Sequence, residues 1–192
     1  MKRILFVVVL FLMVVPIGYY FLSDKNKTKP LPVINPIDVQ QEMVDPEMLR
    51  IGRGHKVGTF RFENQDGTWI TDADMKGKVS VVEYFFTSCK SICPIMNSQM
   101  QRIQRKFAKQ NDLRIFSFTV DPDIDTVAQM KRYALAHQAK AGQWHFLTGK
   151  KDYIFNLANK GFNLYAGQNN KVAGGFEHSG LFALIDKNGN IR

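Results

Sequence analysis

One mixed α/β sheet flanked by helices, entered through an N-terminal hairpin and preceded by a membrane anchor, is the fold these 192 residues predict. Three observations carry that expectation. Residues 79–86 and 113–120 are runs of β-branched and aromatic side chains, the composition of strands covered on both faces. Each run gives way to an apolar stripe at helical spacing: Met96, Met100, Ile103 and Phe107 after the first, Val127, Met130, Ala134 and His137 after the second. The links between them are short, and strands alternating with helices through short links build a largely parallel sheet. At 45% hydrophobic composition the chain can bury one good core, hence one globular domain with additions.

In order, the chain opens Met1-Lys2-Arg3 and runs without a charge from Ile4 to Leu22, close to the roughly 20 residues that cross a bilayer as a helix. Residues 1–22 are read as an anchor rather than a cleaved leader, because no small-residue cleavage site follows and Tyr19 and Tyr20 suit a membrane interface. No cysteine follows the run, which argues against a lipid-anchored form. Basic residues flank both ends (Lys2 and Arg3, then Lys25, Lys27 and Lys29), so charge does not orient the anchor. Placing the domain on the extracytoplasmic, periplasmic side rests on the site chemistry. Residues 23–50 carry Pro30, Pro32, Pro36 and Pro46 among polar residues and read as an extended linker, leaving 51–192 as the domain.

Within the domain, residues 57–63 and 68–70 form a hairpin about Asn64-Gln65-Asp66-Gly67. The strand at 79–86 leads through a cysteine loop into a helix whose first turn holds Pro94 and which runs to about Gln110. Asp123 or Asp125 is placed to cap the next helix. Residues 144–148 are a third strand, and 152–159 a short helix that Gly161 ends. A loop rich in Gly and Asn then leads to a strand at 181–185 and the turn Asp186-Lys187-Asn188-Gly189. The returning strand has barely begun at Arg192, so a truncated sequence is expected.

The only two cysteines stand four apart where strand gives way to helix. One helical turn brings Cys89 and Cys93 to the same side, and the partial positive charge of a helix start favours thiolates. A bridge between them closes too small a loop to staple a fold, so the spacing speaks for a redox pair or a soft-metal clamp. Lys90 and Ser91 mark an exposed loop, which argues against inert core cysteines. In α/β sheets, sites gather at the carboxyl ends of the parallel strands, where Cys89 and Asp121 both lie. A strand at 181–185 running antiparallel would bring His178 to that same edge.

The stretches Phe85-Phe86-Thr87-Ser88-Cys89-Lys90-Ser91-Ile92-Cys93-Pro94, Thr119-Val120-Asp121-Pro122-Asp123-Ile124-Asp125-Thr126 and His178-Ser179 together resemble the Sco/SenC family, from about Leu31 onward. That resemblance implies a thioredoxin-like fold and a membrane-anchored copper chaperone that serves the copper site of cytochrome c oxidase. By motif match it implies that Cys89, Cys93 and His178 hold the copper, and that the partner is the oxidase's copper-accepting subunit. Two thiolates and one imidazole suit Cu(I) better than structural zinc, which takes four ligands. Asp121 has two readings, one tuning the thiols or orienting His178, the other serving only the turn.

Two other classes compete. A thiol-disulfide oxidoreductase would use Cys89 and Cys93 as a catalytic redox pair with a thiol reductant as partner, but the spacer is three residues and no proline follows Pro122. A peroxidase needs an arginine beside its cysteine, and none is there. The net charge of +9 is scattered, without a basic block or stacking motif, which describes a solvated surface and no nucleic-acid partner. His55, His137 and His145 read as structural or surface residues, and Met96 and Met100 as core.

Overall fold

The computed structural model describes residues 2–24, 29–39, 44–172 and 174–192, in two units, Met1–Pro32 and Val33–Arg192. In the first, helix α1 spans Lys2–Asp24, and Lys2–Tyr20 is long and apolar enough to cross a membrane.

The second unit contains a short helix α2 (Pro46–Leu49) and then the strands β1 (Arg61–Asn64), β2 (Trp69–Thr71) and β3 (Val79–Phe85). Helix α3 (Cys93–Lys106), strand β4 (Leu113–Thr119), helix α4 (Val127–Ala136) and strand β5 (Trp144–Thr148) follow. Helix α5 (Lys151–Asn156) precedes β6 (Ala166–Gln168), β7 (Phe176–His178) and β8 (Ala183–Ile185). Six strands form one sheet in the order β2-β1-β5-β4-β3-β8, and β6 pairs with β7 in a separate ribbon. At its centre β3, β4 and β5 are parallel, while β1 and β8 join antiparallel at β5 and β3. The mixed sheet and the antiparallel last strand expected from the sequence are both present.

Alternation along the strands sorts side chains onto two covered faces. Phe85 stacks on Tyr133 of α4 at 5.3 Å and meets Phe146 edge-on at 5.4 Å. On the opposite face Tyr84 stacks on Phe118 at 5.4 Å, and Phe118 meets Phe62 and Phe162. Helix α3 is tied to α4 by Asn97 Nδ2 donating to the Tyr133 hydroxyl at 3.1 Å, and to the turn just after α4 by Gln104 Nε2 donating to the Gln138 carbonyl at 2.9 Å. Met96 and Met100 are buried, as their place on the apolar stripe requires.

Several elements depart from expectation. The extended linker does not reach Arg50: Ile34 N–H donates to the Ile191 carbonyl at 2.9 Å, and Asn35, Pro36, Val44 and Met48 are buried. Asn35 explains much of this, since its Oδ1 accepts the Gly54 N–H at 2.9 Å and its Nδ2 donates to Asp38 at 3.0 Å. Residues 25–28 and 40–43, including Lys25 and Lys27, lie outside the described residues. Helix α3 ends at Lys106, short of Gln110. Thr126, not Asp123 or Asp125, caps α4, its Oγ1 accepting the Gln129 N–H at 3.4 Å. Gly161 does not end α5, which widens into a π-helical turn over Leu157–Phe162 and stops at Asn163, in the left-handed region with φ 53°. The Gly- and Asn-rich loop is in part the β6–β7 ribbon.

Candidate metal and redox centre

Parallel strands end at one edge, and there β3 and β4 release the loops that carry Cys89 and Asp121. Cys89 sits half-buried after β3, its N–H donating to the Phe86 carbonyl at 3.2 Å. Cys93 opens α3, Pro94 fills the first turn where a missing N–H leaves nothing unpaired, and the Cys93 side chain is buried. His178 ends β7, held over the site by the ribbon pairing that sets Ala166 opposite His178. The ring of Phe86 supports it, edge-on to the imidazole at 6.1 Å and beside Phe176 at 6.0 Å.

The resulting contacts are asymmetric. Cys93 Sγ lies 3.4 Å from His178 Nε2, across 85 residues of sequence. Cys89 Sγ rests 3.5 Å from Ser91 Oγ. Among the described residues no three ligating side chains already enclose a common point, so the structure joins Cys93 to His178 and leaves Cys89 beside them. His178 Nδ1 lies 3.1 Å from the Ser179 carbonyl oxygen, an acceptor, so Nδ1 carries the proton and the Nε2 lone pair faces the sulfur. Burial lowers the imidazole's pKa against the opposing Ser179 carbonyl, which keeps it neutral. A neutral imidazole with a free Nε2 is the form that binds a metal.

The thiols differ in acidity. Burial works to raise Cys89, but hydrogen bonds from Cys93 and Ser91 outweigh it and hold the thiol below its ordinary value. Burial pushes Cys93 far up, reinforced by the Cys89 sulfur. The half-buried member is thus the better thiolate and the fully buried one holds its proton. Fully buried below them, Glu83 accepts a hydrogen bond from Ser117 Oγ at 2.6 Å through Oε1, and Ser117 in turn accepts from Trp144 Nε1 at 2.9 Å.

Asp121 does not orient His178, whose two ring nitrogens face Cys93 and Ser179. Its carboxyl is raised by burial and then by Asp125, and its N–H donates to Thr119 Oγ1 at 2.9 Å, which is the turn role. The other histidines have partners elsewhere: His55 Nε2 with the Gly161 carbonyl at 2.7 Å, His137 Nδ1 with Gln101 at 3.3 Å, and His145 Nδ1 with Asn64 at 3.3 Å. Sequence reasoning missed Phe86 as the platform for the ribbon; its place beside the Cys-x-x-x-Cys loop was the available signal.

Comparison with known proteins gives the fold and the family. The SCO1 protein homolog of Bacillus subtilis is 33% identical over 143 residues, 71% of this chain and 72% of that protein. The solved structure of Bradyrhizobium japonicum ScoI with copper bound superposes with a TM-score of 0.63 at 25% identity, covering 71% of this chain and 87% of that one. BsSco, in which a disulfide switch was identified and which is a member of the Sco family of cytochrome c oxidase assembly proteins, superposes at 0.61 with 33% identity, covering 71% and 80%. The sequence model of the SCO1/SenC family matches residues 50–192, and this chain therefore belongs to the SCO1/SenC family.

Proposed function

We propose that this protein binds one Cu(I) through Cys89, Cys93 and His178 and passes it to the copper-accepting subunit of cytochrome c oxidase, from a domain anchored on the outer side of the membrane. The observation that carries the reading is the 3.4 Å approach of Cys93 Sγ to His178 Nε2 beside a second thiol, in a chain of this family. Copper is the cargo of such a protein. Two thiolates and an imidazole form a low-coordinate shell that suits Cu(I), and the half-exposed Cys89 leaves the ion open to exchange with a recipient's ligands. The soft cation itself favours loss of the Cys93 proton on binding, because a coordinating thiol is deprotonated. An extracytoplasmic site also suits a thiol pair that cycles with a disulfide.

A second reading draws on the unequal thiols. Cys89, half-buried and the more acidic of the two, is built to attack a disulfide, with Cys93 positioned to resolve the mixed disulfide. Reduction of the recipient's cysteines and delivery of copper to them are compatible steps of one assembly reaction.

Anaerobic competition titration with the full chain in detergent tests the first reading. One equivalent of Cu(I) should bind, and Cys89→Ser or Cys93→Ser should largely abolish it. His178→Ala should weaken binding more than the same change at His55, His137 or His145. Affinity unchanged in His178→Ala would leave a dithiol redox protein as the better account.

A further inference from the structure

A buried carboxylate holds the cysteine loop, and helix capping does not explain it, since Thr126 caps α4. Asp125 is 1% exposed. Its Oδ2 accepts the Thr87 backbone N–H at 3.1 Å and the Thr119 hydroxyl, and its Oδ1 accepts the Thr87 hydroxyl. Thr87 Oγ1 also takes a hydrogen bond from Gln129 Nε2 of α4 at 3.1 Å. The ion pair of this turn uses another carboxylate, Lys151 with Asp123 at 2.5 Å.

A carboxylate out of water needs its donors, because each one lost leaves a polar group unpaired. Two of the donors come from one residue, Thr87. Capturing both its N–H and its hydroxyl fixes the residue's position and its rotamer together. Thr87 stands two residues before Cys89, so the 121–126 turn governs where the Cys89 sulfur starts from.

We infer that Asp125 is a positioning residue of the dithiol site: through Thr87 it sets the loop from which Cys89 faces Cys93, and so sets how readily the two sulfurs act together. The inference rests on the proposed function in taking Cys89 and Cys93 as a working pair, and it assigns them a support outside the ligand set.

The test uses the full chain in detergent, with Asp125→Asn, Thr87→Val, Thr87→Ser and, as a control on the same turn, Asp123→Asn. Thermal melts establish folding. The first readout is the dithiol–disulfide equilibrium of metal-free protein in glutathione buffers. There the two cysteines give up two electrons and two protons as the sulfur–sulfur bond forms, and one glutathione disulfide becomes two glutathione thiols. The second readout is Cu(I) affinity by competition with a chelator. Asp125→Asn and Thr87→Val should displace the glutathione equilibrium and weaken Cu(I) by about tenfold or more, the range seen when support of a metal ligand is removed. Thr87→Ser, which keeps the hydroxyl, should restore both to near wild type, and Asp123→Asn should change neither. If Asp125→Asn does not fold, the two Thr87 variants decide. A folded Thr87→Val with the wild-type glutathione equilibrium, or Thr87→Ser as impaired as Thr87→Val, overturns the inference. Absence of Cu(I) binding in the wild type would overturn the metal reading instead, with the glutathione measurement still deciding the role of Asp125.

Discussion

Ser117 supplies the hydrogen bond to one carboxyl oxygen of Glu83, and the other oxygen is buried without a partner. Burial therefore raises this carboxyl from an ordinary 4.5 to about 8. Between those values the folded protein holds a proton that the unfolded chain has lost, so stability falls as pH rises through that window and is unaffected below it. At about 1.4 kcal/mol per unit the whole effect is roughly 5 kcal/mol. Glu83→Gln should thus melt well above wild type at pH 9, with the advantage gone by pH 4. Melts recorded across that range check this, and parallel profiles would contradict it. The thiols carry a second prediction. With Cys89 held low and Cys93 high, limiting iodoacetamide at neutral pH should alkylate Cys89 first, as peptide mass spectrometry would show; equal labelling would remove the asymmetry. The paired cysteines stood out in the sequence through their spacing and neighbours, and His178 through its place before an expected antiparallel strand and the family resemblance. Asp125 was not, since an aspartate shortly before a helix reads equally well as a cap. Glu83 was hidden inside a strand-like run.

The β6–β7 ribbon delivers His178, and it leans on Phe86. Gly174 has φ 92°, and a Cβ there would come within 2.9 Å of the Phe86 ring. Gly174→Ala should therefore tilt the ribbon and weaken Cu(I) binding by about tenfold without touching a ligand, measurable by the same competition titration. Wild-type affinity in that variant would mean that Phe86 does not position the imidazole. The ribbon escaped sequence reading because its strands are three residues long and its connection is rich in Gly and Asn. Gly161 misled for a related reason. Its smallness serves close packing, a Cβ there lying 2.6 Å from Leu157, while the left-handed turn that ends the helix belongs to Asn163.

Sheet order is what converts these local features into a site. With β8 antiparallel beside β3, the chain that leaves β7 enters the sheet from the edge where β3 ends, and His178 meets Cys93 although 85 residues separate them. Alternating strand and helix patterns made the parallel centre of the sheet legible, and the antiparallel last strand followed as a condition on the site. The folded start of the domain was not legible: prolines between residues 30 and 46 describe an extended chain equally well whether it hangs free or packs, and it is the Asn35 and Ile34 hydrogen bonds and the burial of Pro36, Val44 and Met48 that distinguish the two. The central claim is that the convergence at this edge is a Cu(I) site made by two sulfurs and one nitrogen. Copper-edge X-ray absorption of the Cu(I)-loaded full chain tests it most directly: the account predicts a shell of two sulfurs and one imidazole nitrogen that loses its nitrogen in His178→Ala, and a sulfur-only shell in the wild type would contradict it.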